Sequence, residues 1–383
     1  MKNYKKVPRF YLLDISRGFA ALCVVLQHYQ HFFYNNYKLT ETFNRNEQPF
    51  WKYISFAYEF GVIAVPFFFI LSGFIFFSFY REKIYKKLIT FKSFIILRIS
   101  RLYPLHLLTL VTVLLLQKLY YFYFSEYLIY SNNSFGNFIL HLFLIQNWGI
   151  NNLFNINSGS GFNNPSWSLS IELFLYILFF IISTQFVRNF TESIIFLIIL
   201  FFLLLINKSI DFLFAGMFLF YLGGTIYFFT ENIKKYLVFN KKIILLILLF
   251  FDVVIFLPFF KNHLVYFQNY IYGITSINTL FLFLIKFPLI ILNLYIIGFY
   301  FKNFGKNFKI FGDLSYTIYL IHVPLQILII FINNKIFNIE FNSNFFFILY
   351  FLLIFIISYL VYKYYELPFK TIIRRKVIRN NNI

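Results

Sequence analysis

The chain has 383 residues, 60% of them hydrophobic and 25% aromatic, with 34 Lys and Arg set against 14 Asp and Glu for a formal charge of +20. Only 13% of the residues are charged, too few to cover a soluble globule of this length, so a water-soluble fold is excluded and lipid must be the solvent. The single cysteine, Cys23, excludes a disulfide framework or a thiolate metal cluster.

Apolar runs long enough to cross a hydrocarbon layer, about 20 helical residues, recur along the whole sequence. They fall at 12–33, 56–79, 97–120, 167–187, 194–206, 212–229, 243–260, 276–301, 314–332 and 345–362. Together they predict an all-α, polytopic membrane protein of about ten transmembrane helices in a single transmembrane domain, 13–369, between basic tails at 1–12 and 370–383. The first run follows Lys2, Lys5, Lys6 and Arg9 in the manner of a signal peptide. It holds Asp14, Arg17 and His28 and lacks a small-residue cleavage site, so it reads as a retained helix. A shorter piece at 138–148, followed by an Asn, Gly and Ser tract, predicts a re-entrant or interfacial segment.

Ten crossings put both termini on one side. The loops on that side, with the two tails, hold 25 of the 34 basic residues, which makes it the cytoplasmic side and places the protein in the cell membrane. The positive charge is thereby assigned to topology and the lipid bilayer, with no nucleic acid as partner. The long opposite loops at 35–55 and 121–165 are nearly balanced in charge and open to an extracytoplasmic substrate.

Ionisable residues inside these runs carry the functional signal, because charge at membrane depth faces a polar pathway by default. Arg17 and His28 are 11 residues apart, so they differ by about 20° around a helix axis and by roughly 16 Å along it. Asp14 precedes Arg17 by one turn and is a candidate partner for it. His31, three residues after His28, lies nearer the interface and reads as structural. Arg98 and Arg101 open the third run on one helix face, at the height expected for Arg17, where guanidinium groups can hold phosphates bidentately. In Asn164-Pro165-Ser166-Trp167-Ser168-Leu169-Ser170-Ile171-Glu172, Pro165 and the serines are helix-start chemistry. Glu172, two turns in, is placed at the depth of His28, where an acid can orient an imidazole. Ser315, Tyr319 and His322 form one helical stripe, either lining the same cavity or joining helices. No metal or tightly bound cofactor is expected.

Leu13-Asp14-Ile15-Ser16-Arg17-Gly18 with His28 resembles the opening motif of the membrane-bound acyltransferase 3 family, an arginine and a histidine separated by ten residues. Phe67 to Phe74, Arg98 to Pro104, Trp167 to Glu172, Ser315 to Pro324 and Tyr365-Glu366-Leu367-Pro368-Phe369 are similar to its later motifs, in the family's order. Ser16, Pro66 and Leu173 depart from the usual residues, none at a position assigned chemistry. The resemblance implies transfer of an acyl group, commonly acetyl from acetyl-CoA, to a hydroxyl of a carbohydrate or similar acceptor. It also implies that the chain works without the appended extracytoplasmic hydrolase-like domain that longer members carry. His28 and Glu172 are the implied catalytic pair, Arg17, Arg98 and Arg101 the donor-binding set, and Asp14, Ser168, Ser315, Tyr319 and His322 supporting residues. A transporter or flippase is the rival reading, since charges stacked along one helix also describe a substrate path, but no inverted repeat is visible. A catalytically dead scaffold is a third. The sequence sets neither the acceptor nor the oligomeric state.

Overall fold

The computed structural model describes residues 9–35, 37–41, 43–150, 161–206, 211–234, 281–337 and 339–380. The helices in chain order are α1 (Tyr11–Gln27), α2 (Trp51–Phe76), α3 (Phe91–Phe124), α4 (Phe135–Leu142), α5 (Trp167–Ile182), α6 (Phe190–Ile206), α7 (Asp211–Ile233), α8 (Phe287–Tyr300), α9 (Lys309–Lys335), α10 (Asn344–Val361) and α11 (Leu367–Asn380). The only strands among these residues are β1 (Tyr34–Asn35) and β2 (Lys38–Leu39), an antiparallel two-residue hairpin. Nine of the ten expected apolar runs fall wholly or partly on these helices. The run at 243–260 and the first residues of the run at 276–301 lie outside the described residues, as does most of the Asn, Gly and Ser tract.

Seven helical segments are long and apolar enough to cross a membrane among the described residues: Ile63–Tyr85, Phe91–Phe124, Asn164–Ile182, Phe212–Ile233, Leu282–Tyr300, Lys306–Lys335 and Asn344–Lys376. The chain is therefore a mostly helical, multi-pass membrane protein. Helix α1 has 17 residues and tightens into a 3₁₀ segment at His28–Phe33, so His28 stands where the helix changes pitch. The expected short piece near 138–148 contains α4, of only 8 residues.

The described helices form two compact units. The first comprises Met1–Ala20, Val62–Thr90 and Leu178–Asp313. Within it α2 and α7 approach so closely that a Cβ on Gly73 would lie 1.8 Å from the Phe220 carbonyl oxygen, and one on Gly223 1.9 Å from that of Ile70. Only glycine permits this backbone contact. The same unit holds an ion cluster at the start of α1. Arg9 Nε meets Asp14 Oδ2 at 2.5 Å, and Arg9 Nη2 meets Asp313 Oδ1 at 2.6 Å. Burial opposes the Arg9 charge, but the hydrogen bonds from the two carboxylates outweigh it and raise the Arg9 pKa above the usual arginine value.

The second unit comprises Ala21–Gly61, Phe91–Ile177 and Leu314–Ile383. Its core holds Leu105, Leu110, Val113, Ile318, Leu320, Val323 and Tyr350, all 0% exposed. Several polar groups in that core are matched to backbone acceptors, as lipid favours. His106 Nε2 bonds the His141 carbonyl at 2.8 Å, and Tyr29 donates to that of Phe341 at 2.8 Å. The α3 backbone around Pro104 is tied in similarly. Tyr316 donates to the Leu102 carbonyl at 2.5 Å, and Tyr365 to the Pro104 carbonyl at 3.2 Å.

Candidate active site

Helix α9 sets out the site, because Tyr316, Tyr319, His322 and Gln326 recur at spacings of three, three and four and share one side of it. Each forms a rung to another element of the second unit, the last two to the same 3₁₀ segment. Tyr316 meets Leu102 of α3. Tyr319 Oη donates to the Pro165 carbonyl at 2.9 Å and lies 2.9 Å from Ser168 Oγ. His322 Nε2 is 2.8 Å from His28 Nδ1. Gln326 Nε2 donates to the His28 carbonyl at 2.9 Å, and its Oε1 lies 3.0 Å from His31 Nδ1. At about 1.5 Å per residue the rungs span roughly 15 Å.

The three imidazoles are layered. The ring centroids of His28 and His31 are 4.7 Å apart with planes at 20°, and those of His28 and His322 are 5.1 Å apart at 17°. His322 is fully buried and His31 nearly so, whereas His28 keeps partial exposure. His31, read as structural from sequence, is part of this stack, and Gln326 is a member the sequence reading missed. The available signal was a glutamine one turn beyond His322 in an otherwise apolar helix. Outside the spanning helices, half-buried Arg45 donates to Gln30 Oε1 at 3.2 Å. Burial pulls its pKa below the ordinary arginine value, offset in part by the Glu59 and Tyr34 charges.

Glu172 stands elsewhere than beside His28. Its carboxylate accepts from Tyr176 one turn along α5, and the charges acting on Tyr176 are those of Glu172, Arg101 and Arg98. The side-chain partner of the His28 ring is His322 rather than Glu172, and the reason is where α5 starts. Ser168 and Pro165 sit at the Tyr319 rung, and Asn163 donates to the Leu320 carbonyl at 3.0 Å, so α5 begins beside the middle of α9. Glu172, a turn further along α5 than Ser168, is carried away from the His322 rung toward the arginine pair. Arg98 is buried and lies over the Phe94 ring; Arg101 is partly exposed.

Ser315 is buried at the Tyr316 end of α9. Arg17 and Asp14 belong to the first unit. Asp14 Oδ1 is 3.9 Å from Arg17 Nη1, a long contact beside the Arg9 bond, so Arg9 takes the role foreseen for Arg17 as principal partner of Asp14. A buried acid that the sequence analysis noted only within a motif, Glu366, accepts from Thr317 at 2.6 Å. Among the described residues no group of three or more His, Cys, Asp or Glu side chains is placed to hold a metal ion.

Comparison with known proteins bears on what this arrangement does. The family model described as an acyltransferase domain, of the acyltransferase 3 type, matches residues 10–363. Among curated proteins, the acyltransferase MdmB of Streptomyces mycarofaciens is 34% identical over 119 residues, 31% of this chain and 27% of that protein. Protein 2 in the picA locus of Rhizobium radiobacter is 37% identical over 102 residues, 27% of this chain and 42% of that protein. The match thus spans less than half the length of each of these relatives. No solved structure matches.

Proposed function

The chain belongs to the membrane-bound acyltransferase 3 family, and on that premise we propose that it moves an acyl group, acetyl in the first instance, from acyl-CoA to a hydroxyl of a carbohydrate or other cell-surface acceptor. The observation that carries this reading is the partly exposed His28 ring bonded to a buried polar rung and layered between His31 and His322. In this reading His28 is the general base: it takes the proton of the acceptor hydroxyl as that oxygen attacks the thioester carbonyl carbon. The carbon–sulfur bond breaks, and the departing thiolate recovers the proton from His28. The products are an ester and free CoA thiol.

Arg98 and Arg101 hold the donor's phosphates. The six-residue offset along α9 from the Tyr316 rung to the His322 rung corresponds to about 9 Å, a distance that a long, thin pantetheine arm covers. Glu172, in the field of the arginine pair, belongs to the donor side. We place the protein in the cell membrane with the donor supplied from the cytoplasm. Purified protein in lipid nanodiscs, given radiolabelled acetyl-CoA, should transfer or slowly hydrolyse the label. His28→Ala should abolish this while still inserting, and Arg98→Ala should chiefly raise the donor KM. Full activity of His28→Ala would overturn the reading.

A further inference from the structure

We infer that His322 is the positioning residue of the His28 base: it fixes the imidazole tautomer that leaves His28 Nε2 bare toward substrate. The inference rests on the reading of His28 as base and deepens it. It follows from counting protons along the rungs. His322 Nδ1 lies 3.3 Å from the Ile318 carbonyl. A carbonyl only accepts, so His322 carries its proton on Nδ1. A neutral imidazole has one such proton, which leaves His322 Nε2 as an acceptor. The 2.8 Å bond to His28 is therefore donated by His28 Nδ1–H. With that proton spent, His28 Nε2 holds a lone pair and is the nitrogen able to take a proton from an acceptor hydroxyl.

Gln326 secures the same arrangement from the backbone. The His28 carbonyl accepts from Gln326 Nε2, so the amide oxygen faces His31, and His31 Nδ1 must donate to it. Both rungs thus end on backbone carbonyls, which cannot change protonation. When His28 Nε2 gains the proton of the acceptor hydroxyl, the imidazolium keeps its Nδ1–H···Nε2 bond to His322, now charge-assisted and stronger. His322 stabilises the charged base without itself exchanging a proton. A neutral amide or imidazole is the partner suited to this depth, because a carboxylate there would bring a second buried charge.

The test is a pair of substitutions at His322. His322→Gln places an amide oxygen near the Nε2 position and preserves the acceptor; His322→Leu fills the space and removes it. With the tautomer no longer imposed, His322→Leu should lose about 100-fold or more in kcat, as wrong-tautomer variants of other His bases do, with donor KM changed less than about 3-fold. His322→Gln should keep at least about a fifth of wild-type kcat and retain the acid limb of the pH–rate profile, since His28 still titrates. If His322→Leu fails to give monodisperse protein in detergent, His322→Asn replaces it, its amide being too short to reach His28. Wild-type turnover in the acceptor-less variant would overturn the inference. So would a His322→Gln as inactive as His322→Leu, a loss confined to KM, or disappearance of the acid limb in His322→Gln. A fully active His28→Ala removes the underlying base assignment instead, so the two failures are distinguishable.

Discussion

Tyr316→Phe tests whether the donor end of the site is held through α9. The Tyr316 hydroxyl bonds the Leu102 carbonyl at 2.5 Å in a buried setting, and Leu102 follows Arg101 directly. Pro104, inside α3, removes the N–H that the Ser100 carbonyl would otherwise accept. This turn is thus less firmly held by the helix's own hydrogen bonds than its neighbours. Phenylalanine keeps the ring and deletes only the hydroxyl. The Leu102 carbonyl remains in the helical ladder, so the loss is the net value of one hydrogen bond, about 0.5–1.5 kcal/mol, rather than the larger penalty for an orphaned acceptor. If that energy orients Arg101 toward the donor, donor KM should rise by about 2- to 13-fold, with kcat within about 2-fold of wild type. Initial rates over a range of acetyl-CoA concentrations, with reconstituted protein at saturating acceptor, give both constants. A fall in kcat at constant KM would refute the reasoning by placing Tyr316 at the chemistry. So would no change in either.

Thr317→Val keeps the shape of a 0% exposed side chain and strips the donor from buried Glu366. Stability should fall by about 1–3 kcal/mol, read as an earlier thermal transition in detergent, and an unchanged transition would show the bond to be dispensable. At the Tyr319 rung, a double-mutant cycle of Ser168→Ala and Tyr319→Phe should give a coupling of about 0.5–1.5 kcal/mol in stability. Ser168 Oγ also lies 3.1 Å from the Pro165 carbonyl, to which its one proton can turn when the Tyr319 hydroxyl is removed, so the single Tyr319→Phe change should be mild. Zero coupling would mean that the two hydroxyls do not meet.

Apolar length was readable because lipid leaves the backbone no partner but itself, so the runs at 56–79, 97–120 and 345–362 could only be helices. The polar residues of the site were readable one by one for the same reason. Intramembrane His28, Ser168, Tyr319 and His322 each stand out against Leu, Ile and Phe, and the structure brings all four to the rungs of α9. Their pairing was not readable. His28 and His322 are 294 residues apart, and helical periodicity sets the face of a residue without naming the helix across from it. The α1 register rested on counting residues along one regular helix. It could not show the change to 3₁₀ pitch at His28 or the stacking of His31 that comes with it. The close passage of α2 along α7 was legible only as glycine, a residue with many possible reasons.

The misplaced Glu172 shows what counting from helix starts leaves out. Depth was measured from the start of α5 as though that start lay at the membrane surface. Phe162, Asn163 and Ser166 are each 0% exposed, and Asn163, Pro165 and Ser168 bond to residues 319 and 320 at the middle of α9. A helix that begins inside the protein carries its residues a corresponding distance past the level expected of them. Ser168 therefore reaches the level intended for Glu172, and Glu172 joins the field of Arg98 and Arg101. The consequence for mechanism is a division of labour along α9. In the proposed mechanism the carboxylate, which shares Tyr176 as a neighbour with Arg98 and Arg101, stays on the donor side, and His28 as base is supported by neutral groups. A carboxylate beside His28 would neutralise the imidazolium but would also need its own solvation in a dry core. A buried histidine anchored on a backbone carbonyl would orient the proposed base without adding charge.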